Sequence, residues 1–171
     1  MPGLVVYVGS TEAEARARQR ALDELLPVAS SLRQLGGFVG QDCSGWALDE
    51  PVPPLPPLSA FKGPQGRYGT ILRIVETERP TVRQLLGRLA AGGGHCTMVG
   101  TPEQIADQMA HWWRNGGADG FNLMPPALPR DIDDFVDHVV PVLQQRGLFR
   151  RDYEGHTLRD HLGLARPPGR S

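Results

Sequence analysis

Cysteine, lysine, long apolar runs and an excess of either charge are all scarce in this sequence. Two cysteines, Cys43 and Cys96, cannot build a disulfide framework. Among 18 basic residues only Lys62 is a lysine, a compositional bias with no arginine-specific chemistry attached. No stretch approaches the ~20 apolar residues of a membrane-spanning helix. Eighteen basic residues face 19 acidic ones, a net charge of -1. Nucleic-acid binders show a clear basic excess, so neither nucleic acid nor membrane is expected as a partner. The opening MPGLVVYVGSTEAEAR has no basic leader and only a short apolar stretch, so no secretory signal is expected. The expected compartment is the cytoplasm.

What is present suits one globular unit. The chain has 171 residues, 40% hydrophobic and 22% charged. A chain of that length buries roughly 70% of its unfolded surface.

Leu4-Val5-Val6-Tyr7-Val8 reads as a buried strand ending at Gly9. Thr11 and Glu14 have the spacing of a capping box and open a helix. Leu22, Leu25, Leu26, Ala29 and Leu32 form its apolar stripe, Pro27 should kink or split it, and Gly36-Gly37 should end it. Residues 36–70 hold Pro51, Pro53, Pro54, Pro56, Pro57 and Pro64 among glycines. They are expected to form a long inserted loop without regular structure. Ile71–Val75 adds a short ordered segment of undecided type.

Regular order then returns. Thr81 with Gln84 and Thr101 with Gln104 mark two more capping boxes, the second with Pro102 in the first turn. Leu85, Leu86, Leu89 and Ala90 face inward before the Gly92-Gly93-Gly94 stop. Ile105, Met109, Trp112 and Trp113 do so before Asn115-Gly116-Gly117. His95–Val99 and Gly120–Met124 read as strands. Asp131 opens a last helix with Ile132, Phe135, Val136, Val139 and Leu143 inward. Pro141 should bend that helix and Gly147 end it; a tail, 147–171, follows. Strands alternating with helices imply a parallel sheet with right-handed crossovers. Three strands cannot close a (β/α)8 barrel, which needs eight strands and roughly 250 residues.

The stretch VGTPEQIADQMAHWWRNGGADGFNLMPPALPRDIDDFVDHVVPVLQQRGLFRRDYEGHTLRDHLGL resembles the C-terminal end of one enzyme family. The family is the luciferase-like FMN-dependent monooxygenases of the nitrilotriacetate monooxygenase component A and dibenzothiophene-sulfone monooxygenase type. VVPVLQQRGLFRRDYEGHTLRDHLGL is its most diagnostic block; PGLVVYVGSTEAEARA and QDCSGWALDEPVP are also similar. The resemblance covers almost the whole chain. It implies the fold class: α/β, the C-terminal part of a TIM (β/α)8 barrel, about three βα units. Residues 1–171 would be a single partial barrel domain with 36–70 inserted and 147–171 as tail. It also implies an activity: oxygenation of a small organic substrate with dioxygen and reduced FMN, the flavin supplied by a separate NAD(P)H-dependent flavin reductase. A homo-oligomer is expected of the whole protein. Because the family's flavin-phosphate contacts lie mainly on earlier strands, this chain is expected neither to bind FMN nor to turn over alone.

Barrel sites lie at the C-terminal ends of strands. Thr97 and Met98 alternate in direction, so one of them faces the barrel interior; the other reading is buried packing. Asn122, a polar residue in a strand expected to be buried, lines a pocket with Met124 or makes a structural hydrogen bond. Asp42 and Trp46 in the long loop act as a lid, or the loop packs over the barrel. The N-terminus of the helix after Gly100-Thr101-Pro102 suits an anion, but Glu103 opposes one. No metal site is expected: the cysteines and histidines lack ligand spacing. No catalytic residue is named by the sequence. Two further readings stand beside the monooxygenase. One is a non-catalytic α/β remnant or self-associating module with exposed sheet edges. The other is a deazaflavin-dependent dehydrogenase of the same superfamily, which the RGLFRRDYEGHTLR tail disfavours.

Overall fold

The computed structural model describes residues 1–165. In chain order β1 (Gly3–Val8) leads to α1 (Glu12–Glu24) and α2 (Val28–Val39). Then α3 (Gln65–Glu78) and α4 (Val82–Gly92) precede β2 (Cys96–Gly100), and α5 (Pro102–Arg114) leads to β3 (Asn122–Leu123). A last helical run comprises α6 (Arg130–Asp134), a π turn (Phe135–Val139) and α7 (Val140–Gln145); α8 (Leu158–His161) lies in the tail.

The strands form one parallel sheet in the order β2-β1-β3. β1 pairs with β2 from Leu4 beside Cys96 to Val8 beside Gly100, whereas only Gly3 and Leu4 meet β3. Leu4 through Val8 are all buried, as in a strand covered on both faces. Leu4, Val6, Val8 and Met98 share a core with Ile105 and Ala106 of α5 and with Phe135, Val139 and Leu143. On the other face α1 and α4 pack against β1 and β2, where Asp23 of α1 stands near the Tyr7 phenol. The sheet is therefore the middle of three layers.

A closed barrel sets consecutive strands side by side. Here β3 lies beyond β1, and among the described residues β2 pairs on one side only. On the β3 side of β1, Leu123 and Met124 gain Leu4, Val6 and Phe135 as neighbours.

A second core is wholly helical. Leu32, Leu35 and Val39 of α2, Tyr68, Ile71 and Ile74 of α3, and Val82, Leu85, Leu86 and Leu89 of α4 are buried together with Cys43 and Val52 of the intervening loop. That loop is shorter than the expected 36–70. α2 runs past Gly36-Gly37 to Val39 and stops at Gly40, whose φ of 71° is the left-handed cap glycine supplies cheaply. α3 begins at Gln65 and absorbs Ile71–Val75. The loop is tied down along its length. Val52 N–H donates to the Pro80 carbonyl at 3.1 Å, Val82 N–H to Glu50 at 3.0 Å, and the Tyr68 hydroxyl to Pro56 at 2.5 Å.

Pro27 splits the first helix into α1 and α2, as its lost N–H and fixed φ require. Thr11 caps α1 through the Glu14 N–H, but the Glu14 carboxylate takes the Ser10 N–H and hydroxyl instead of closing the box. The boxes at Thr81 and Thr101 are complete. Pro141 does not interrupt its helix; the turn before it widens, with Val140 N–H reaching Phe135. Leu25, Trp113 and Val136, expected inward, are exposed, because those helices bury narrower stripes than the sequence suggested. Tyr153, Leu162 and Leu164 of the tail, the side chains best suited to anchor it on the rest of the chain, are more than half exposed. Tyr153 packs on Arg150 and His161 within the tail instead. Residues 166–171 of the expected tail lie outside the described residues.

Gly9 turns β1 into α1 where a Cβ would stand 2.6 Å from the Ala15 amide nitrogen and 2.8 Å from the Thr11 carbonyl oxygen. Both obstacles are backbone and cannot swing away. Gly9→Ala should cost about 1–3 kcal/mol, read as a lower urea midpoint at unchanged m-value.

Candidate functional site

A cleft of about 440 Å³ opens along the edge of β2 that faces away from β1. Its floor is Thr97 and Val99. One wall is the polar face of α1, where Glu12, Arg16 and Gln19 recur at helical spacing; the opposite wall is Gln104, Asp107 and Gln108 of α5. Arg88 of α4 closes one end. The charges are matched and largely spoken for. Arg16 donates to Glu12 at 2.6 Å, Arg88 pairs with Glu78, and Arg146 reaches Asp107 at 2.7 Å. The Arg16 hydrogen bond holds the Glu12 carboxyl below its usual range.

Thr97 carries the one buried side-chain polar atom, Oγ1, left without a hydrogen-bond partner among the described residues. The hydroxyl therefore bears a desolvation cost with no compensating bond.

The other sequence candidates lie elsewhere. Met98 points to the opposite face and is buried in the sheet core. Asn122, expected to be buried, is exposed at the start of the edge strand β3, with its side-chain amide 3.4 Å from the Met1 carbonyl. Met124 is partly buried beside a small recess formed with Leu4, Val6 and Phe135. Thr97 thus stands apart from Asn122 and Met124, on the far side of β1. Asp42 is exposed and accepts from the Ser44 N–H at 2.9 Å and the Ser44 hydroxyl at 3.0 Å. Trp46 packs onto the helical core. Both loop residues therefore lie over α2–α4, away from the β2 edge.

The N-terminus of α5 is already capped by Thr101 and Gln104, with Glu103 in its first turn. Neither cysteine is an activated nucleophile: burial pushes the Cys43 thiol up to about 11 and also raises Cys96. No group of three or more histidine, cysteine or acidic side chains able to hold a metal occurs among the described residues. No helix among them is long and apolar enough to cross a membrane.

Sequence reasoning missed Asp23 and most of the cleft. The cleft walls are polar helix stripes that read as solvated faces; only their i, i+4, i+7 recurrence hinted otherwise. Asp23 sits within the stripe of Leu22 and Leu26 and has no donor among the described hydrogen bonds. Burial pushes its carboxyl up to about 6 from an ordinary 3.8. Burial, with the Asp23 and Asp131 charges, pushes the Tyr7 phenol up to about 12.

In sequence and fold this chain is similar to part of several monooxygenases. It is 46% identical over 168 residues to nitrilotriacetate monooxygenase component A of Aminobacter aminovorans, covering 98% of this chain and 37% of that protein. It is 42% identical over 171 residues to N-acetyl-S-(2-succino)cysteine monooxygenase of Bacillus subtilis, covering 99% and 38%. Among solved structures it matches DmoA from Hyphomicrobium sulfonivorans with a TM-score of 0.70 and 29% identity, over 94% of this chain and 33% of that one. It matches the riboflavin lyase RcaE, solved with modified FMN and riboflavin, with a TM-score of 0.64 and 27% identity, over 94% and 34%. No family profile matches the chain. The chain spans little more than a third of the length of the curated relatives it matches.

Two substitutions test the electrostatics of this region. The raised Asp23 pKa means that its contribution to stability is present below pH ~4 and is lost as pH rises through about 6. Asp23→Asn should therefore match the parent near pH 4 and exceed it above pH 6, by roughly 1–2 kcal/mol once solvent screening is allowed for. Thermal melts across that range give the answer. Thr97→Val removes the orphan hydroxyl at constant shape and should leave stability unchanged or raise it by about 1 kcal/mol, measured by chemical denaturation.

Proposed function

We propose that this chain is the C-terminal part of a two-component flavin-dependent monooxygenase. The whole enzyme would oxygenate a small organic substrate with dioxygen and reduced FMN delivered by an NAD(P)H-dependent flavin reductase. The carrying observation is 46% identity over nearly the full chain to nitrilotriacetate monooxygenase component A. The match to a structure solved with modified FMN supports the flavin. The three βα units would be a segment of the barrel, with the helical core and its loop as the insertion. One of Thr97 and Met98, which face opposite sides of the sheet, would line the flavin or substrate pocket of the whole enzyme with Asn122 and Met124, and the Asp42–Trp46 loop would serve as its lid.

The 171-residue chain alone would not bind FMN. A flavin ring needs apolar or aromatic walls, and the cleft walls are charged and amide side chains. A phosphate needs free cations or amide donors. Arg16 and Arg88 are paired with carboxylates, and the α5 N-terminus is capped by its own side chains. These residues do not fit the cofactor. Bound FMN would supply the oxygen chemistry of the whole enzyme.

Titrating FMN against the 171-residue chain, followed by flavin fluorescence, should show no saturable quenching. Supplying NADPH, FMN and a flavin reductase should give no oxygenated nitrilotriacetate. Saturable binding or turnover would overturn the reading of the fragment as cofactor-free.

A further inference from the structure

We infer that the contact of Asp23 with Gly87 is a proton-operated latch between α1 and α4. With the carboxyl neutral, the helical unit α2–α4 stays seated on the sheet; with the carboxyl ionised, that unit opens on its own. This inference does not depend on the monooxygenase reading. Gly87 is buried in the middle of α4. Glycine there weakens a helix relative to alanine, and its φ is not one of the positive ones, so no turn calls for it. What it provides is room: a Cβ on Gly87 would collide with both carboxyl oxygens and the carboxyl carbon of Asp23. The acid of α1 thus lies directly on the backbone of α4.

The seat suits a neutral acid. No donor or cation engages the Asp23 carboxyl among the described residues, and burial pushes it up to about 6. Asp23 also lies in the last turn of α1, where the helix dipole disfavours an anion and no basic residue stands. The elements packed on α1 bring no cation to it. From β1 comes the Tyr7 phenol, itself near Asp131 of α6; from β2, only the Cys96 thiol. From α4 come Arg83, bound to Asp49 at 2.8 Å, and Arg88, bound to Glu78. On α1 itself Glu24 adds a second negative charge, Arg16 is held by Glu12, and Arg18 by Glu14 and Asp134. Arg20 is exposed and pairs with no carboxylate among the described residues.

The joints for such an opening are in place. α1 is tied to the sheet, because the Arg18 guanidinium donates to the Val8 carbonyl at 3.0 Å and pairs with Asp134. Two short connectors bound the helical unit. One is residues 25–27, ending in Pro27; the other is Gly93-Gly94-His95, whose glycines have φ of 61° and 89°. An ionised Asp23 regains full hydration only when α4 moves away from it. Its carboxyl is raised when seated and ordinary when released, so the latch holds below pH ~4 and loosens as pH rises through about 6.

Each unit carries one cysteine that reports on it: Cys43 is buried in the helical core, and Cys96 of β2 packs against the sheet core. The test is the rate at which 4,4′-dithiodipyridine labels each thiol of the 171-residue chain, read by peptide mass spectrometry. Each rate is divided by that of the same thiol in urea, which removes the reagent's own pH dependence. Cys43 labelling should rise about tenfold between pH ~4 and ~7, part of the full effect being lost to solvent screening, and Cys96 should not follow it. Asp23→Asn should keep the Cys43 rate at its low-pH value throughout. Gly87→Ala, which displaces the carboxyl, should give fast Cys43 labelling already at pH ~4 and flatten the response. A Cys43 rate indifferent to pH, a response that survives Asp23→Asn, or equal responses from both cysteines would each overturn the inference.

Discussion

The pairing of β1 with β2 is the contact on which the rest of the chain depends. Five residues of each strand are in register, yet 87 residues separate Val8 from Cys96 in sequence. Everything between them, including the helical core, is a single crossover. Closing so long a loop costs only a few kcal/mol more than closing a short one, but it must occur before either helix layer has a sheet to cover. Gly9 and Gly100, at the matching ends of the two strands, carry the hydrogen bond that completes the ladder. Both strands then deliver their following helices, α1 and α5, to the same end of the sheet, and the cleft is the space left between them.

Much of the fold was legible in the sequence because its signals are local. The Thr81 and Thr101 boxes, the split at Pro27 and the stops at Gly93 and Asn115 each rest on a few adjacent residues, and each appears where expected. What failed was non-local. Pro-rich spacing between 51 and 64 suggested a loop reaching residue 70, but Tyr68, Ile71 and Ile74 have a core to enter and form a helix. Leu25 and Trp113 continued apolar stripes on paper, but the stripe that packs is set by neighbouring helices. Asn122 was read as buried because Gly120–Met124 looks like a central strand. Only two of those residues pair, and they do so at an edge. For the site, Thr97 was visible as a strand residue of alternating direction. Its lack of a partner was not visible, because satisfaction of a hydroxyl depends on what surrounds it.

The likeness to the monooxygenases and the arrangement of the chain bear on different scales. The likeness runs over almost the whole chain but over little more than a third of each relative. Proportion matters chemically. A barrel site is assembled from the ends of several strands, so a chain that matches a third of a barrel protein would carry only part of the groups that must converge. The cleft along β2 is walled by paired charges and does not suit a flat, conjugated ligand.

The division of the apolar residues into two cores has a consequence for motion. Leu32, Leu35, Ile71 and Leu85 belong to a layer of helices and strapped loop; Leu4, Val6, Met98 and Val139 belong to the sheet. Neither set shares a buried member with the other, and the join between them runs chiefly through α1 and α4. Cooperative units follow such boundaries. Amide protons of α2 and α3 therefore have an opening route that leaves the β1–β2 ladder closed, and the two halves of the chain should exchange with solvent on separate clocks.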